Sequence, residues 1–459
     1  MTATRKTPGA PSTTLHAPND SDGPVAHLEG SEAVDHSSVA HSEATLENER
    51  YNFTILTFDG LTFWLGLSYF SPTTILPLFV SHLSSSNVVA GAVPAVIALS
   101  WALPQLLGAR AMSGITSRKR YIIVTALLGR IPLIVMIGII WAFANTHPQL
   151  TLIAFFVCFA LFRATSGMNT PVYYDLVGAT IHPRQRSRFI GLNQFLGGGI
   201  GALALVGGRS LLDSFPFPIG FVLCFGLGTV IITTAIIWMS VVREPPIVKP
   251  DGSSQPNVLI QARNVWSTDR TFRRYLIARC LVALTGLASA FFAVQATREL
   301  GATDGDVAIY SAILLASQTI STLGWGAIAN RLRLMNVMLA GTVLAGSASL
   351  LAFMAPSSTI IMLVFALAGA SMGAIVVSDG ALPLSFAEDS KQDRSLYVAV
   401  ANTAVSPINL IAPLLGGALA DAGGYGTTYV IASLLAVLAA VATVTASTKR
   451  PAALSRTLS

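Results

Sequence analysis

From residue 51 onward the chain is a series of apolar stretches, each long enough to cross a bilayer, and this restricts it to few folds. A hydrocarbon core of about 30 Å takes about 20 residues of helix. The stretches lie at 54–80, 88–111, 121–144, 149–178, 190–212 and 217–242, then at 274–298, 306–330, 334–355, 358–386, 396–420 and 425–447. That makes twelve, six on each side of a polar, basic segment at 244–273. The runs are continuous, unlike the short alternating strands of a membrane barrel. With 11% charged residues, the chain has too little polar surface to cover a soluble core, for which about 25% charged is usual. The expected fold is an all-α polytopic membrane protein, its twelve helices arranged as two six-helix bundles.

The flanks differ in kind. Residues 1–50 hold eight acidic and three basic residues among many Ser, Thr, Pro and His. Such a segment buries too little apolar surface to offset its ordering entropy, so a disordered tail is expected there. The bundles are expected at 51–243 and 274–450, the linker at 244–273 and a second short tail at 451–459. In the linker, Val258, Leu259, Ala262, Val265 and Trp266 share one helical face, which predicts a short interfacial helix over 257–266.

Orientation follows from loop charge. Arg110, Arg118, Lys119 and Arg120 fall in one loop, Arg184, Arg186 and Arg188 in the next on that side. The linker, Arg331 with Arg333, Lys391 with Arg394, and the C-terminal tail continue the series. The intervening loops carry almost no Lys or Arg. Both termini are therefore expected in the cytoplasm, with the chain multi-pass in the plasma membrane. The net charge of +6 is accounted for by these loops, and no nucleic-acid partner is expected. Cys158, Cys224 and Cys280 all fall within spans and form no C-x-x-C pair, so neither a metal site nor a cofactor is expected.

The two halves read as distant copies in parallel order. LLGARAMSGITSRKRY joins spans two and three, and TLGWGAIANRLRLMNV joins spans eight and nine. Asp175 and Asp379 stand near the ends of spans four and ten, and Asn193 and Asn402 in spans five and eleven. In these features the chain resembles the major facilitator superfamily of secondary transporters over 51–450. The family's loop motif, G-x-x-x-D-R-x-G-R-R, is matched by Gly108, but Met112 replaces its Asp and Ser113 the following Arg. The second copy, Gly326, Asn330 and Arg331, fits better, with Asn for Asp. Arg163 and Gly167 approximate the family's fourth-span R-x-x-x-G.

Ionisable groups inside spans cost about 2.5–3.5 kcal/mol each on insertion scales and are functional candidates by default. They are Asp59, Arg130, Arg163, Asp175, Arg279 and Asp379. The resemblance implies that spans one, four, seven and ten line a central cavity, which places Asp59, Arg163 and Asp379 along one proton or substrate path. Arg163 would bind an anionic group or favour the ionised form of a proton-carrying acid; a static ion pair between helices is the alternative. Asp175 and Asp379, opposite Arg110, Arg118, Arg188 or Arg394, would form a cytoplasmic gate, or else cap helix ends. Arg130 is expected to pair structurally with Asp175 or Asp59, and Arg279 to snorkel to the cytoplasmic surface.

The resulting expectation is a monomeric, proton-coupled secondary transporter of a small solute, with Asp59 as the proton carrier and Arg163 modulating it. Export of amphipathic compounds is favoured by aromatic candidates such as Phe63, Trp64 and Phe292. No G-x-x-x-x-G-K-[ST] loop is present to use nucleotide, and no His lies at mid-span to build a membrane enzyme. An uptake permease, or a transport-fold receptor that moves nothing, are the other readings.

Overall fold

An apolar run in lipid must satisfy its own backbone hydrogen bonds, and a helix does so within a single segment. The computed structural model describes residues 36–111, 114–245, 265, 269–329, 331–390 and 394–447, and every regular element among them is helical. In order these are α1 (His36–Ser68), α2 (Ile75–Leu83), α3 (Asn87–Ala102), α4 (Gln105–Ala111), α5 (Arg118–Phe143), α6 (Pro148–Thr180), α7 (Pro183–Ser214) and α8 (Ile219–Val241). After the linker come α9 (Arg270–Leu284), a 3₁₀ turn (Thr285–Ala288), α10 (Phe291–Arg298), α11 (Asp304–Ala329), α12 (Leu334–Met354), α13 (Ser358–Ser390) and α14 (Arg394–Ser447).

Nine segments among the described residues are long and apolar enough to cross a membrane, against the twelve read from hydropathy. Three places account for the difference. The first expected span is interrupted between α1 and α2 around Pro72, and the second between α3 and α4 at Pro104. Proline lacks the N–H that would continue either helix. The last two spans run together as α14, which bends at Gly424, where φ is 75°. That left-handed backbone is open to glycine without steric cost.

Asn48–Ser459 form one compact unit. α1 begins at His36, inside the segment 1–50 expected as a tail. Ala40, Glu43, Ala44, Leu46, Glu47 and Glu49 are good helix formers there. The expected interfacial helix lies outside the described residues except for Val265, which is buried. Met112, Ser113 and Asn330 of the two loop motifs also lie outside them.

Aromatic packing joins the N-terminal helices. Phe70 stacks on Phe225 with ring centroids 5.2 Å apart, and Phe79 meets Phe155 at 5.3 Å and Phe221 at 5.4 Å. Such contacts contribute about 0.5–1.5 kcal/mol each beyond area burial. They fix α1 and α2 against α6 and α8. Outward, Trp141, Leu203, Val230 and Ile237 are each more than 60% exposed, an apolar surface suited to lipid.

Glu244, just beyond α8, secures the start of α5. Its carboxylate accepts from the Ser117 hydroxyl at 2.6 Å and from the backbone N–H groups of Arg118 at 2.7 Å and Lys119 at 3.3 Å. It thereby satisfies N–H groups that a helix start leaves open. Glu244→Ala is expected to lower the protein's stability by about 1–2 kcal/mol, read as a lower unfolding temperature. A variant as stable as the parent would show that water replaces the cap.

Candidate functional site

The best-formed polar constellation lies among the C-terminal helices. α9 supplies Arg279, α13 Asp379 and α14 Asn402. Arg279 donates from Nε to Asp379 Oδ1 at 2.8 Å and from Nη2 to Asp379 Oδ2 at 3.0 Å; Nη2 also reaches Asn402 Oδ1 at 3.2 Å. This two-pronged arrangement matches the planar guanidinium fork to the carboxylate. The Arg279 side chain is 8% exposed and that of Asp379 30%, so the carboxylate stands in front and the guanidinium behind it. Arg279 therefore does not snorkel. It sits little more than two turns into α9, but α13 and α14 pack over that end and keep it from water.

Both residues line a cavity of about 670 Å³. Trp101, Ala102 and Gln105, where α3 gives way to α4, close it from the N-terminal helices. Phe292, Met372, Thr403, Ser406 and Asn409 complete a wall of mixed apolar and hydrogen-bonding character. The one acid on this wall is neutralised by the one base, which suits an uncharged or zwitterionic solute better than an ion. Neither Asp59 nor Arg163 lines this cavity.

Asp59 is buried on α1, within electrostatic reach of Arg130 on α5 and Tyr173 on α6. Arg130 donates to the carbonyls of Ala126 at 3.2 Å and Ile232 at 3.0 Å, tying α5 to α8. Arg163 is half-buried; its Nε is buried without a partner, and no hydrogen bond or ion pair to it occurs among the described residues. The single path through Asp59, Arg163 and Asp379 is thus resolved into separate places.

Among the expected gate residues, Asp175 is paired with Arg118, one of the partners expected for it. Asp175 accepts from Arg118 Nε, and Glu244 flanks the same guanidinium at 3.7 Å. This links α5 with α6, both N-terminal, rather than joining the two halves. It also leaves Asp59 as the acid facing Arg130. Arg110, Arg188 and Arg331 are exposed, and the Arg394 side chain lies outside the described residues. Of the motif glycines, Gly108 packs so tightly that a Cβ would lie 2.0 Å from the Met168 carbonyl oxygen, whereas Gly326 faces open space.

A second polar cluster, not anticipated from sequence, fastens the N-terminal to the C-terminal helices at the end opposite the chain termini, here called distal. Asp421 of α14 accepts from Ser86 Oγ and Asn87 N, each at 2.8 Å, and from Val88 N at 3.2 Å. It therefore caps α3 from across the interface. Arg298, ending α10, donates to the carbonyls of Ser81 in the last turn of α2 and of Ser84 and Ser85 beyond it, and to Asn87 Oδ1. His82 meets Asp304 at 2.8 Å, Arg209 meets Asp306 at 3.2 Å and Thr74 meets Ser311 at 2.5 Å. Arg298 and Arg209, two cations on a side otherwise poor in Lys and Arg, were the available signal.

α7 and α11 touch where a Cβ on Gly198 would lie 2.2 Å from Thr319 Oγ1. Nearer the termini, a Cβ on Gly191, Gly324 or Gly326 meets nothing within 4 Å. The interface is held closed at the distal end.

The family model of the Major Facilitator Superfamily matches residues 275–458, and solved transporters share the fold along nearly their whole length. The second half of the chain thus matches that family's model, and the chain shares the fold of the solved transporters. The nucleoside transporter NupG superposes with a TM-score of 0.66 at 14% identity, covering 87% of this chain and 99% of that one. A bacterial homolog of the human lysosomal transporter Spinster, solved inward-facing and unoccupied, gives 0.64 at 18% identity, covering 87% and 97%. A D-xylose–proton symporter gives 0.63 at 16%, covering 85% and 96%. No curated protein matches the chain. The Arg279–Asp379 pair and the distal fastening are properties of this chain's own residues.

Proposed function

We propose that this chain is a Major Facilitator Superfamily transporter that moves a small, uncharged or zwitterionic amphipathic solute by alternating access, and that protons drive it through Asp379. The observation that carries the reading is the cavity of about 670 Å³ with the Arg279–Asp379 pair on its wall. A carboxylate 30% exposed can exchange a proton with cavity water, while its hydrogen-bonded arginine registers the change. On this reading the distal end faces outward, in keeping with loop charge, and the six-helix halves rock about the cavity. Trp101, Phe292 and Met372 supply apolar contact for an amphipathic solute, which favours export over uptake.

The test is flux in proteoliposomes under an imposed pH gradient, using solutes first selected by thermal stabilisation of the purified protein. Asp379→Asn is expected to abolish gradient-driven accumulation and to leave solute exchange within about threefold of the parent. Accumulation that persists in this variant removes Asp379 from the coupling step. If Asp59→Asn alone abolishes it, the role passes to the buried acid beside Arg130. A parent protein that stabilises with ligand yet shows no flux is a receptor on a transport fold.

A further inference from the structure

Two buried polar atoms beside the Arg279–Asp379 pair lack partners: Arg279 Nη1 and Tyr275 Oη. Native proteins rarely leave such groups unsatisfied, and each exception calls for an explanation. Tyr275 and Arg279 lie four residues apart on α9, hence on one helical face. Helical side chains lean towards the helix N-terminus, so the arginine leans towards the tyrosine. The tyrosine ring is held firmly: its centroid lies 5.1 Å from Phe386 and 5.8 Å from Phe272, and the residue is fully buried. Its hydroxyl is therefore fixed, and the longer, rotamer-rich arginine is the part able to move.

We propose that Tyr275 is a second seat for the Arg279 guanidinium, occupied when Asp379 takes up a proton. The inference rests on the coupling reading above. In the arrangement seen, the fork is spent on Asp379 and Asn402, and the remaining Nη1–H groups have no acceptor. A proton from cavity water added to an Asp379 oxygen removes the negative charge that holds the fork. The guanidinium, still cationic, then swings back along its helix and donates an Nη1–H to Tyr275 Oη, and the tyrosine keeps its own proton. Both orphans are satisfied at once, and the carboxylic acid is left free to donate to a solute. The charged and titratable groups facing the guanidinium among the described residues are Asp379 from α13 and Tyr275 and Cys280 from its own helix, with Asn402 from α14 as the neutral partner. Tyr275 is thus a positioning residue: it acts on the proton site through Arg279.

The experiment needs no identified solute. The carboxylic-acid C=O infrared band of the purified full chain in lipid nanodiscs is titrated with pH, and its loss in Asp379→Asn assigns it. Tyr275→Phe keeps the ring and removes only the acceptor, so the protonated state loses its second seat. Its titration midpoint is expected to move to more acid pH by about half a unit to one unit. Placed on Arg279→Lys, which has no Nη1 to offer, the same change is expected to move nothing. A Tyr275→Phe midpoint equal to that of the parent overturns the proposal, as does the absence of any band assignable to Asp379. A midpoint that shifts as expected, in a chain whose flux ignores the pH gradient, leaves the seat standing and removes the coupling role.

Discussion

Arg279→Ala is expected to be among the most destabilising single changes in the C-terminal helices, while the double variant Arg279→Met, Asp379→Leu recovers most of the loss. Removing one partner of a buried pair strands the other charge, at a cost of about 3–5 kcal/mol in well-buried cases. The Asp379 side chain is 30% exposed, so cavity water repays part of this, and about 2–3 kcal/mol is the expected loss. The sign with pH follows from the charge left behind. The lone carboxylate is worst where it is ionised, so the deficit relative to the parent should shrink as pH falls and Asp379 takes up a proton. In the double variant no buried charge remains, and apolar replacements of similar volume are often neutral or better. Thermal unfolding of the three purified proteins across pH checks both claims. A single variant as stable as the parent, or a deficit that grows in acid, would show that the pair is not a coupled unit.

That pair marks the boundary of what could be read from sequence. The helices were legible because bilayer thickness sets a length and apolar composition reports it. Even the failures of the span count fall at residues with a local cause, Pro72, Pro104 and Gly424. Side-chain pairing was another matter. Arg279 and Asp379 are 100 residues apart, Arg118 and Asp175 are 57 apart, and Asp421 caps α3 across 335 residues. Hydropathy assigns a residue its depth along a helix but not its azimuth around it. Arg279 looked close enough to the helix end to reach water, and only the packing of α13 and α14 shows that it is enclosed. Glu244 looked like linker charge because its role depends on α8 ending beside the start of α5. Arg298 and Arg209 lie on the side whose poverty of cations had been used for orientation, so their presence was a signal passed over.

Gly417→Leu is expected to force the distal end open. A Cβ on Gly417 would lie 2.5 Å from the Asn87 carbonyl oxygen and 2.6 Å from the Val88 Cα. Both are backbone atoms at the start of α3, with no rotamer that could move aside. Gly91 faces the same interface from the other helix, where its Cβ would lie 2.3 Å from the Pro413 carbonyl oxygen. These glycines allow α3 and α14 to approach closely enough for Asp421 to cap α3, so a side chain there breaks the cap and the contact together. Overpacking of this kind costs about 1–3 kcal/mol where neighbours can adjust. Here the neighbours are rigid but the halves can separate, so the cost is discharged by shifting the population towards the distally open state. About 3 kcal/mol corresponds to about a 100-fold shift. Thr74, before α2, and Ser311, on α11, bond to each other across the same two groups of helices and are almost fully buried. A cysteine at position 74, in a background lacking the half-buried Cys280, should therefore react with a membrane-impermeant maleimide far faster when Gly417→Leu is present. Gly207→Leu is the control, since a Cβ there meets nothing within 4 Å and should leave the rate unchanged. Equal labelling in all three backgrounds would mean that the close approach of α3 and α14 does not hold the distal end shut, and that closure rests on the side-chain network around Arg298 alone.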